Sequence, residues 1–305
     1  MHRRDFLKIF GLTLMVSANS ACREESQGYT ATSNKKRILV IGAGLSGLAA
    51  AQELNRWGHE VIVVEARERI GGRIWTSTQW ADMPLDFGAT WIHGPQGNPL
   101  TDLAEQINAK RFTTSYENSA TYNTSGKPLS KAEEVRMEDL REQVFTALKK
   151  AQGRDNDASI RQVIKPLIDR FNESSETYRF INFILSGAIE QEYSGSVEQL
   201  SVHWYDSAKT FDGDDVLFAQ GFKVIPEFLA QGLQIELGQV VKEIQWQRSP
   251  IRVITQKAEF IADYVVVTLP LGVLQTKKVH FSPELPRSKQ NAIAKLGMGV
   301  LNYPC

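Results

Sequence analysis

The order of apolar and polar positions after residue 36 predicts an alternation of strands and helices. Ile38 to Ile41 is a short apolar run of the kind that forms a buried strand, and Val61 to Val64 is a second one. Between the two runs, Leu48, Ala51 and Leu54 recur at helical spacing, so one face of a helix is apolar. A strand, a helix and a second strand in this order predict an α/β protein with a parallel sheet.

The middle of the chain carries helical patterns instead. Ser130 with Glu133, and Ser159 with Gln162, have the spacing of capping boxes, in which the side chains and backbone of the first turn bond each other. Apolar residues at helical spacing follow both boxes, and we interpret them as packing surface rather than cofactor contacts. They are Met137, Leu140, Val144 and Leu148 after the first box, and Ile160, Val163, Ile164, Leu167 and Phe171 after the second.

Two later segments are predicted to be strands. Glu243 and Gln245 alternate with Ile244 and Trp246, as polar and apolar positions do in a half-buried strand. Tyr264 to Thr268 is a β-branched run that ends near Pro270, which predicts a buried strand.

Charge and cysteine content argue against two classes of function. The chain has 305 residues with 35 Lys plus Arg and 35 Asp plus Glu, and no basic run beyond its first positions and the stretch Lys35 to Arg37. Nucleic acid is therefore not an expected partner. Cys22 and Cys305 are the two cysteines, and no His, Asp or Glu cluster has metal-ligand spacing, so we expect no metal site.

The first 21 residues have the layout of an export signal: a charged start, an apolar stretch too short to span a bilayer, and then small residues. Arg3 and Arg4 resemble a twin-arginine signal, which predicts a periplasmic protein, with an ordinary secretory signal as the alternative. A lipid anchor at Cys22 is an alternative that the sequence leaves open. Apart from the export signal, it is the one association with a membrane that we expect. Residues 22–35 are polar and small, and are predicted to be a flexible linker.

A glycine motif lies at the predicted turn between the first strand and the helix. Gly42, Ala43, Gly44 and Gly47 form the pattern G-x-G-x-x-G, in which the first glycine makes the tight turn and the second lets backbone approach a diphosphate. The third glycine allows the helix to pack closely on the strand. Glu65 follows the second strand, where an acid accepts hydrogen bonds from ribose hydroxyls and disfavours the 2′-phosphate of NADP.

The residues after Glu65 indicate which dinucleotide is bound. They run Ala66, Arg67 and then "ERIGGRIWT", with Gly71, Gly72 and Arg73. This stretch resembles the R-x-G-G-R-x-x-[ST] signature of the flavin-containing amine oxidase superfamily. The resemblance implies FAD as the cofactor, with Ala66, Arg67, both glycines and Arg73 close to it.

Two more stretches resemble the same family. "LDFGATWIHG" (Leu85 to Gly94) is similar to the family segment that passes beside the flavin ring, which implies that His93 faces the substrate cavity. A loop histidine bonded to backbone is the alternative for His93. The residues implied to lie along the flavin are Gly88, Ala89, Thr90 and Trp91. Those implied to lie along the nucleotide in the later return segment are Val241, Thr268, Leu269 and Pro270.

By this resemblance the fold is a Rossmann-like FAD-binding domain with an inserted, largely helical substrate domain. The FAD-binding domain is discontinuous, at residues 36–95 and 216–290, and the substrate domain is residues 96–215. Residues 291–305 correspond to the start of a further half that family members have. Tyr303 stands where many members have a lysine near the flavin, so we expect a truncated chain that lacks this catalytic residue. We expect such a chain to bind FAD weakly or not at all and to be prone to aggregate.

The resemblance implies an oxidase that acts on a polyamine or a monoamine. The amine gives a hydride equivalent to the flavin, water hydrolyses the imine, and molecular oxygen takes the electrons to form hydrogen peroxide. Acidic residues in the middle region favour a cationic amine or, alternatively, form a solvated loop. They are Glu190, Glu192, Asp212, Asp214 and Asp215. An amino-acid oxidase or desaturase on the same scaffold, and a non-catalytic nucleotide- or partner-binding remnant, are the competing hypotheses.

Overall fold

The computed structural model describes residues 35–80, 82–115 and 119–299. The strands are β1 (Arg37–Ile41), β2 (Glu60–Val64), β3 (Thr76–Ser77), β4 (Leu85–Asp86), β5 (Trp91–Ile92), β6 (Arg111–Thr113), β7 (Val216–Phe218), β8 (Gln234–Glu236), β9 (Val241–Gln245), β10 (Ile251–Thr255), β11 (Glu259–Ala262), β12 (Tyr264–Val267) and β13 (His280–Ser282). The helices are α1 (Leu45–Arg56), α2 (Pro99–Gln106), α3 (Lys131–Gln152), α4 (Ile160–Ile168), α5 (Glu176–Leu185), α6 (Gln191–Tyr193), α7 (Val224–Leu229), α8 (Leu271–Gln275) and α9 (Arg287–Lys295), with a π-helical segment (Ser186–Glu190) between α5 and α6.

A four-stranded parallel sheet in the order β12–β1–β2–β8 confirms the α/β class. Leu39 of β1 pairs with Val265 of β12 on one side and with Ile62 of β2 on the other. Leu48 and Ala51 of α1 are fully buried in the apolar layer between that helix and the sheet. The first two predicted strands are confirmed, and each begins one residue earlier than predicted.

The strand β12 is not the buried strand that its β-branched residues predicted. It pairs with β1, and no other described strand pairs with it, so it forms one edge of the sheet. Tyr264 is 57% exposed and Val267 is 38% exposed. The prediction was wrong because burial of a strand depends on its neighbours in the sheet, whereas residue type reports only its tendency to form a strand.

A second sheet, in the order β11–β10–β9–β13, packs on the other side of the parallel sheet. Val241, Ile244 and Val253 from this sheet are buried in one cluster with Leu39 and Ile41 of β1. The alternation predicted for residues 243–246 is confirmed, because Ile244 is buried in this shared core and Trp246 packs against it.

The helical region has its own apolar core, built from α3, α4, α5 and the segments that follow them. Both predicted capping boxes are formed: Ser130 N–H donates to Glu133 Oε2 at 2.6 Å, and Ser159 N–H donates to Gln162 Oε1 at 2.9 Å. The apolar residues after the boxes face this core, as predicted. The most buried of them are Leu140, Val144, Leu148, Ile160 and Ile164.

Two small groups of strands complete the described fold. β3 pairs with β4, and β5 and β6 flank β7 in an antiparallel group of three. In that group Ile92 lies opposite Val216, and Thr113 lies opposite Val216 from the other side. These pairings bring the segment after Leu85 next to the segment before Val216, which is far away in sequence.

Candidate functional site

The turn between β1 and α1 has a backbone geometry that two glycines make possible. Gly42 has a φ of +109°, and its N–H donates to the Val64 carbonyl at 2.8 Å. At Gly47, a Cβ atom would lie 1.9 Å from the Gly42 carbonyl oxygen and 2.9 Å from Thr268 Oγ1. Side chains at these positions would therefore force α1 away from the sheet.

Gly44 differs from Gly42 and Gly47 because a side chain at Gly44 would extend into open space. A Cβ atom on Gly44 would meet no atom within 4 Å. Gly44 is the N-cap of α1, and no side chain caps this helix, so the N–H groups of its first turn have no side-chain acceptor. The Gly71 N–H donates to the Ala43 carbonyl at 2.8 Å, and Gly72 lies against Gly44. The turn and the glycine loop thus form a cradle that suits a diphosphate.

Glu65 follows β2 directly and is nearly buried beside this turn. Its Oε2 accepts the Ala43 N–H at 2.8 Å, and its Oε1 accepts the Arg67 N–H at 2.9 Å. Its backbone bonds Glu236 and Gln239 of the neighbouring chain segment at 2.9 and 2.7 Å. Each carboxylate oxygen keeps a second lone pair, so the group is fixed in place and still able to accept from ribose hydroxyls.

Two arginine side chains bond to the glycine loop. Arg67 Nη1 and Arg69 Nη2 both donate to the Gly72 carbonyl, at 2.9 and 3.0 Å. The Arg69 guanidinium also lies over the Trp75 ring, and burial, followed by repulsion from Arg67, lowers the pKa of Arg69. Arg73 is exposed, and no described residue bonds its guanidinium. The first two arginines therefore shape the loop, and the third is available to a ligand.

The segment from Gly88 to Trp91 runs along this loop. A Cβ atom on Gly88 would lie 1.9 Å from the Arg73 carbonyl oxygen, and the Ala89 N–H donates to the same oxygen at 3.3 Å. Thr90 Oγ1 donates to the Gly88 carbonyl at 3.1 Å. The structure thus brings together the two stretches that the family resemblance implied on the flavin side, while Ala66 is exposed beside Glu65.

Asp86 lies just before the segment Gly88 to Trp91 and bonds to a distant part of the chain. Its carboxylate accepts the Phe222 N–H at 3.0 and 3.1 Å and the Thr76 hydroxyl, while Thr76 Oγ1 accepts the Lys223 N–H at 3.1 Å. Burial raises the pKa of Asp86. The carboxylate therefore ties the start of the Leu85–Gly94 segment to the chain just before α7.

The return segment bonds to the end of β1, where the glycine turn begins. Thr268 donates both its N–H and its hydroxyl to the Ile41 carbonyl, at 3.0 and 2.8 Å. Leu269 packs against the core shared by the two sheets, in which Val241 is buried, and Pro270 is the N-cap of α8. Thr268 therefore lies directly beside the glycine turn, and Val241 lies beneath the strand that delivers Glu65.

His93 is bonded to a carboxylate rather than to backbone. Its Nδ1 lies 2.8 Å from Asp215 Oδ2, and the Gly94 N–H donates to Asp215 Oδ1 at 3.0 Å. The imidazole is 59% exposed, whereas the Asp215 side chain is 19% exposed. Sequence reasoning placed Asp215 among the acidic residues of a loop and did not pair it with His93.

Several predicted features lie outside the described residues. They are the export signal at residues 1–21, the lipid-anchor alternative at Cys22, the flexible linker at residues 22–35 apart from its last residue, and Tyr303. Within residues 35–80, 82–115 and 119–299, no group of three or more His, Cys, Asp or Glu is arranged to hold a metal ion. No helix in those ranges has the length and apolar character needed to cross a bilayer.

Together these features describe an α/β protein whose glycine turn has the arrangement typical of dinucleotide-binding sites. An open glycine turn lies at a helix N-terminus, an acid follows the next strand, and an arginine-bearing loop closes one side. The residues present fit a cofactor with a diphosphate and a ribose, because the backbone of Gly44 faces open space and the Glu65 carboxylate lies beside the same turn.

Comparison with known proteins identifies the family. A model of the family described as flavin containing amine oxidoreductase matches residues 45–304, so the chain belongs to this family. Polyamine oxidase 4 of Oryza sativa subsp. japonica is 31% identical over 281 residues, which are 87% of this chain and 57% of that protein. Lysine-specific histone demethylase 1 homolog 2 of Arabidopsis thaliana is 32% identical over 276 residues, 87% of this chain and 37% of that protein. Polyamine oxidase 2 of Arabidopsis thaliana is 28% identical over 293 residues, 91% of this chain and 59% of that protein.

The chain therefore spans roughly a third to three fifths of the length of these relatives. Three groups that shape the site were not singled out from the sequence: Asp86, Arg69 and the pairing of Asp215 with His93. Arg69 lies within the glycine-loop signature, and Asp86 lies within the stretch Leu85 to Gly94. Their roles depend on partners that only the folded chain brings close.

Proposed function

We propose that this chain carries the cofactor-binding part of an FAD-dependent amine oxidase. The observation that carries the proposal is the open cradle at Gly44 beside Glu65, in a chain of the flavin containing amine oxidoreductase family. In this proposal residues 36–95 and 216–290 bind FAD, and residues 96–215 form much of the substrate domain. The natural substrate is a polyamine or a monoamine, and molecular oxygen is the second substrate.

Each part of the cradle has a defined task toward the cofactor. The N–H groups at the start of α1 and the bare backbone of Gly44 hold the diphosphate, and Glu65 accepts from the ribose. The Gly88–Trp91 segment and the guanidinium of Arg73 lie on the flavin side. When bound, FAD supplies the electron acceptor for the hydride equivalent that leaves the carbon next to the amine nitrogen.

Acidic side chains support a cationic substrate. Glu192, Asp212 and Asp214 are exposed, and none of the three forms an ion pair with a described residue. Glu190 and Asp215, in contrast, bond to protein groups: Glu190 Oε1 accepts the Val197 N–H at 3.0 Å. Uncompensated exposed carboxylates attract cations over about a Debye length, roughly 8 Å at physiological salt. We therefore expect the KM for a polyamine to rise with ionic strength.

An absorption spectrum of the purified 305-residue chain tests the proposal. The chain is mixed with FAD, freed of unbound cofactor, and treated with spermidine without oxygen. Retention of an oxidised-flavin spectrum is the expected result, and it would overturn the expectation from the sequence that the chain binds FAD weakly. Bleaching by spermidine, with peroxide release in air, would further identify an amine oxidase that works with Tyr303 in place of the family lysine. A chain that retains no flavin contradicts the proposal. Bleaching by amino acids instead of amines would favour the amino-acid oxidase alternative.

A second substrate class has support from the comparisons. Two relatives are named lysine-specific histone demethylases, and one of them is as similar to this chain as the polyamine oxidase of rice. The substrate in this alternative is an N-alkylated lysine side chain of a peptide. A methyl-lysine peptide is therefore tested beside spermidine in the same bleaching assay, and the faster reaction identifies the substrate class.

We also propose that the protein is exported through its twin-arginine-like start. Replacing Arg3 and Arg4 together by lysine keeps the positive charge and removes the arginine pair. The expected result is retention of the variant inside the cell, measured by fractionation and immunoblotting. Unchanged export of this variant would favour an ordinary secretory signal.

A further inference from the structure

The segment that contains α8 and α9 carries an uneven share of the charge. Residues 271–299 contain five basic side chains and one acidic side chain, although the chain as a whole has equal numbers of the two kinds. All five cations are exposed, and none of them forms an ion pair with a described residue. Positive charge is therefore concentrated in one short part of the fold. The five cations are Lys277, Lys278, Arg287, Lys289 and Lys295.

Contacts between α8 and α9 bring these cations together. The Gln275 side chain at the end of α8 donates from Nε2 to the carbonyls of Ile293 and Leu296, at 3.0 and 2.7 Å. The two lysines that follow α8 and the lysine that ends α9 therefore lie at one junction. The other two cations are in the first turn of α9, about 9–12 Å away along the helix at 1.5 Å per residue. All five thus belong to one continuous surface.

Apolar side chains are exposed within the same surface. Leu296 is 60% exposed and Met298 is 39% exposed. The Gly272 N–H lies 2.8 Å from Met298 Sδ, so this side chain lies against the start of α8. No residue of α8 or α9 is buried, so both helices lie on the outside of the described fold. We call the five cations with Leu296 and Met298 the α8–α9 surface.

The residue types of this surface favour a membrane over a protein partner. Protein interfaces are enriched in arginine and aromatic residues and depleted in lysine. Four of the five cations here are lysines, and Phe281, the one Phe, Tyr or Trp in residues 271–299, packs against the core shared by the two sheets. The lysine ammonium is a compact charge that needs no fixed partner geometry, which suits the phosphates of lipid headgroups. Exposed apolar side chains beside such cations can enter the boundary between headgroups and acyl chains.

We propose that the α8–α9 surface binds anionic phospholipid membranes, with its cations at the lipid phosphates and with Leu296 and Met298 at the headgroup boundary. This contact is separate from the export signal and from the lipid anchor predicted for the first 22 residues. It requires neither FAD nor an amine substrate. Each cation near an anionic membrane contributes about a five-fold factor to binding, and salt screens this attraction.

Lysine acetylation measures the contact residue by residue in the full 305-residue chain. The chain is treated with a water-soluble acetylating reagent alone, with phosphatidylcholine vesicles, or with vesicles that also contain phosphatidylglycerol, and mass spectrometry gives the rate at each lysine. The rates at the four lysines of the α8–α9 surface are expected to fall several-fold with the anionic vesicles only. Lys149 and Lys150, at the end of α3, are expected to keep their rates. These separate rates distinguish the proposed contact from binding through the amino terminus.

Two triple variants, each of which removes three positive charges, test the contribution of the cations. The variant of the α8–α9 surface should raise the Kd for anionic vesicles about 100-fold in a sedimentation assay at low salt. The matched control replaces three exposed lysines elsewhere, none of them in an ion pair with a described residue, and should leave the Kd unchanged. The first variant combines Lys278→Gln, Lys289→Gln and Lys295→Gln, and the control combines Lys127→Gln, Lys149→Gln and Lys150→Gln.

Three results would overturn the proposal. The first is an equal loss of affinity in both variants, because it would show that net charge alone governs binding. The second is an unchanged acetylation rate at the four lysines, whether the chain sediments with the vesicles or not. The third is equal protection by soluble polyglutamate at the same concentration of charge, which would assign the surface to an acidic protein. None of these measurements uses flavin, so they are independent of the test of the proposed function.

Discussion

Replacing Gly44 by alanine should separate the stability of the fold from its ability to bind a nucleotide. In the free chain the added methyl group enters open space, with no atom within 4 Å of the new Cβ. The backbone of Gly44, at φ −78° and ψ 177°, is allowed for alanine. Alanine lowers the conformational entropy of the unfolded chain, which stabilises the folded protein by about 0.4–1 kcal/mol. Alanine is also a poorer N-cap for α1 than glycine, which costs about the same free energy. The free energy of unfolding should therefore change by less than about 1 kcal/mol.

The affinity for a nucleotide should fall clearly in the same variant. The methyl group occupies the space in which the diphosphate approaches backbone, and an overpacked methyl typically costs about 1–3 kcal/mol. By the relation between free energy and Kd, this weakens binding about 5- to 150-fold. Urea unfolding measures stability, and calorimetric titration with ADP and with FAD measures binding. ADP contains the adenine, ribose and diphosphate alone, so this test does not depend on the flavin side of the site.

Two variants serve as controls for Gly44→Ala. Gly187 also faces open space, and it lies in the π-helical segment of the helical region, so Gly187→Ala should leave ADP binding unchanged. Gly47→Ala places a Cβ 1.9 Å from a backbone oxygen and should cost about 3 kcal/mol or more of stability. If Gly44→Ala unfolds as easily as Gly47→Ala, or binds ADP as tightly as the wild type, the cradle is not where we place it.

The remaining predictions concern stability measured by urea unfolding. Burial raises the pKa of Asp86, so the carboxyl group binds a proton more readily in the folded state than in the unfolded state. The contribution of Asp86 to the free energy of unfolding therefore falls as pH rises from about 4 through the raised pKa. The stability of the wild type minus that of Asp86→Asn should therefore decrease with rising pH over this window; an increase would contradict the raised pKa. Ser130→Ala removes the cap of α3 and should cost about 1 kcal/mol, whereas Ser125→Ala, in the preceding turn, should cost less. Thr268→Val removes the hydroxyl bond to the Ile41 carbonyl and should cost about 1 kcal/mol; no loss would mean that this bond does not support the glycine turn.

Features that depend on residues close together in the chain could be predicted from the sequence. The glycine turn, the acid after the second strand and the two capping boxes are each contained within about 25 residues. Their chemistry is local: a glycine permits a positive φ, a serine side chain caps the helix that follows it, and apolar spacing reveals a buried face. The parallel strands β1 and β2 and the helix between them follow from the same short-range patterns.

Contacts between residues that lie far apart in the chain were decided by the tertiary structure. His93 and Asp215 are 122 positions apart, Asp86 and Phe222 are 136 apart, and Thr268 and Ile41 are 227 apart. No periodicity in one sequence pairs such residues, because the pairing is set by strand register and by which elements share a sheet. The exposed edge strand β12 shows the same limit, since its composition predicted a strand and only its neighbours decided how much of it is buried.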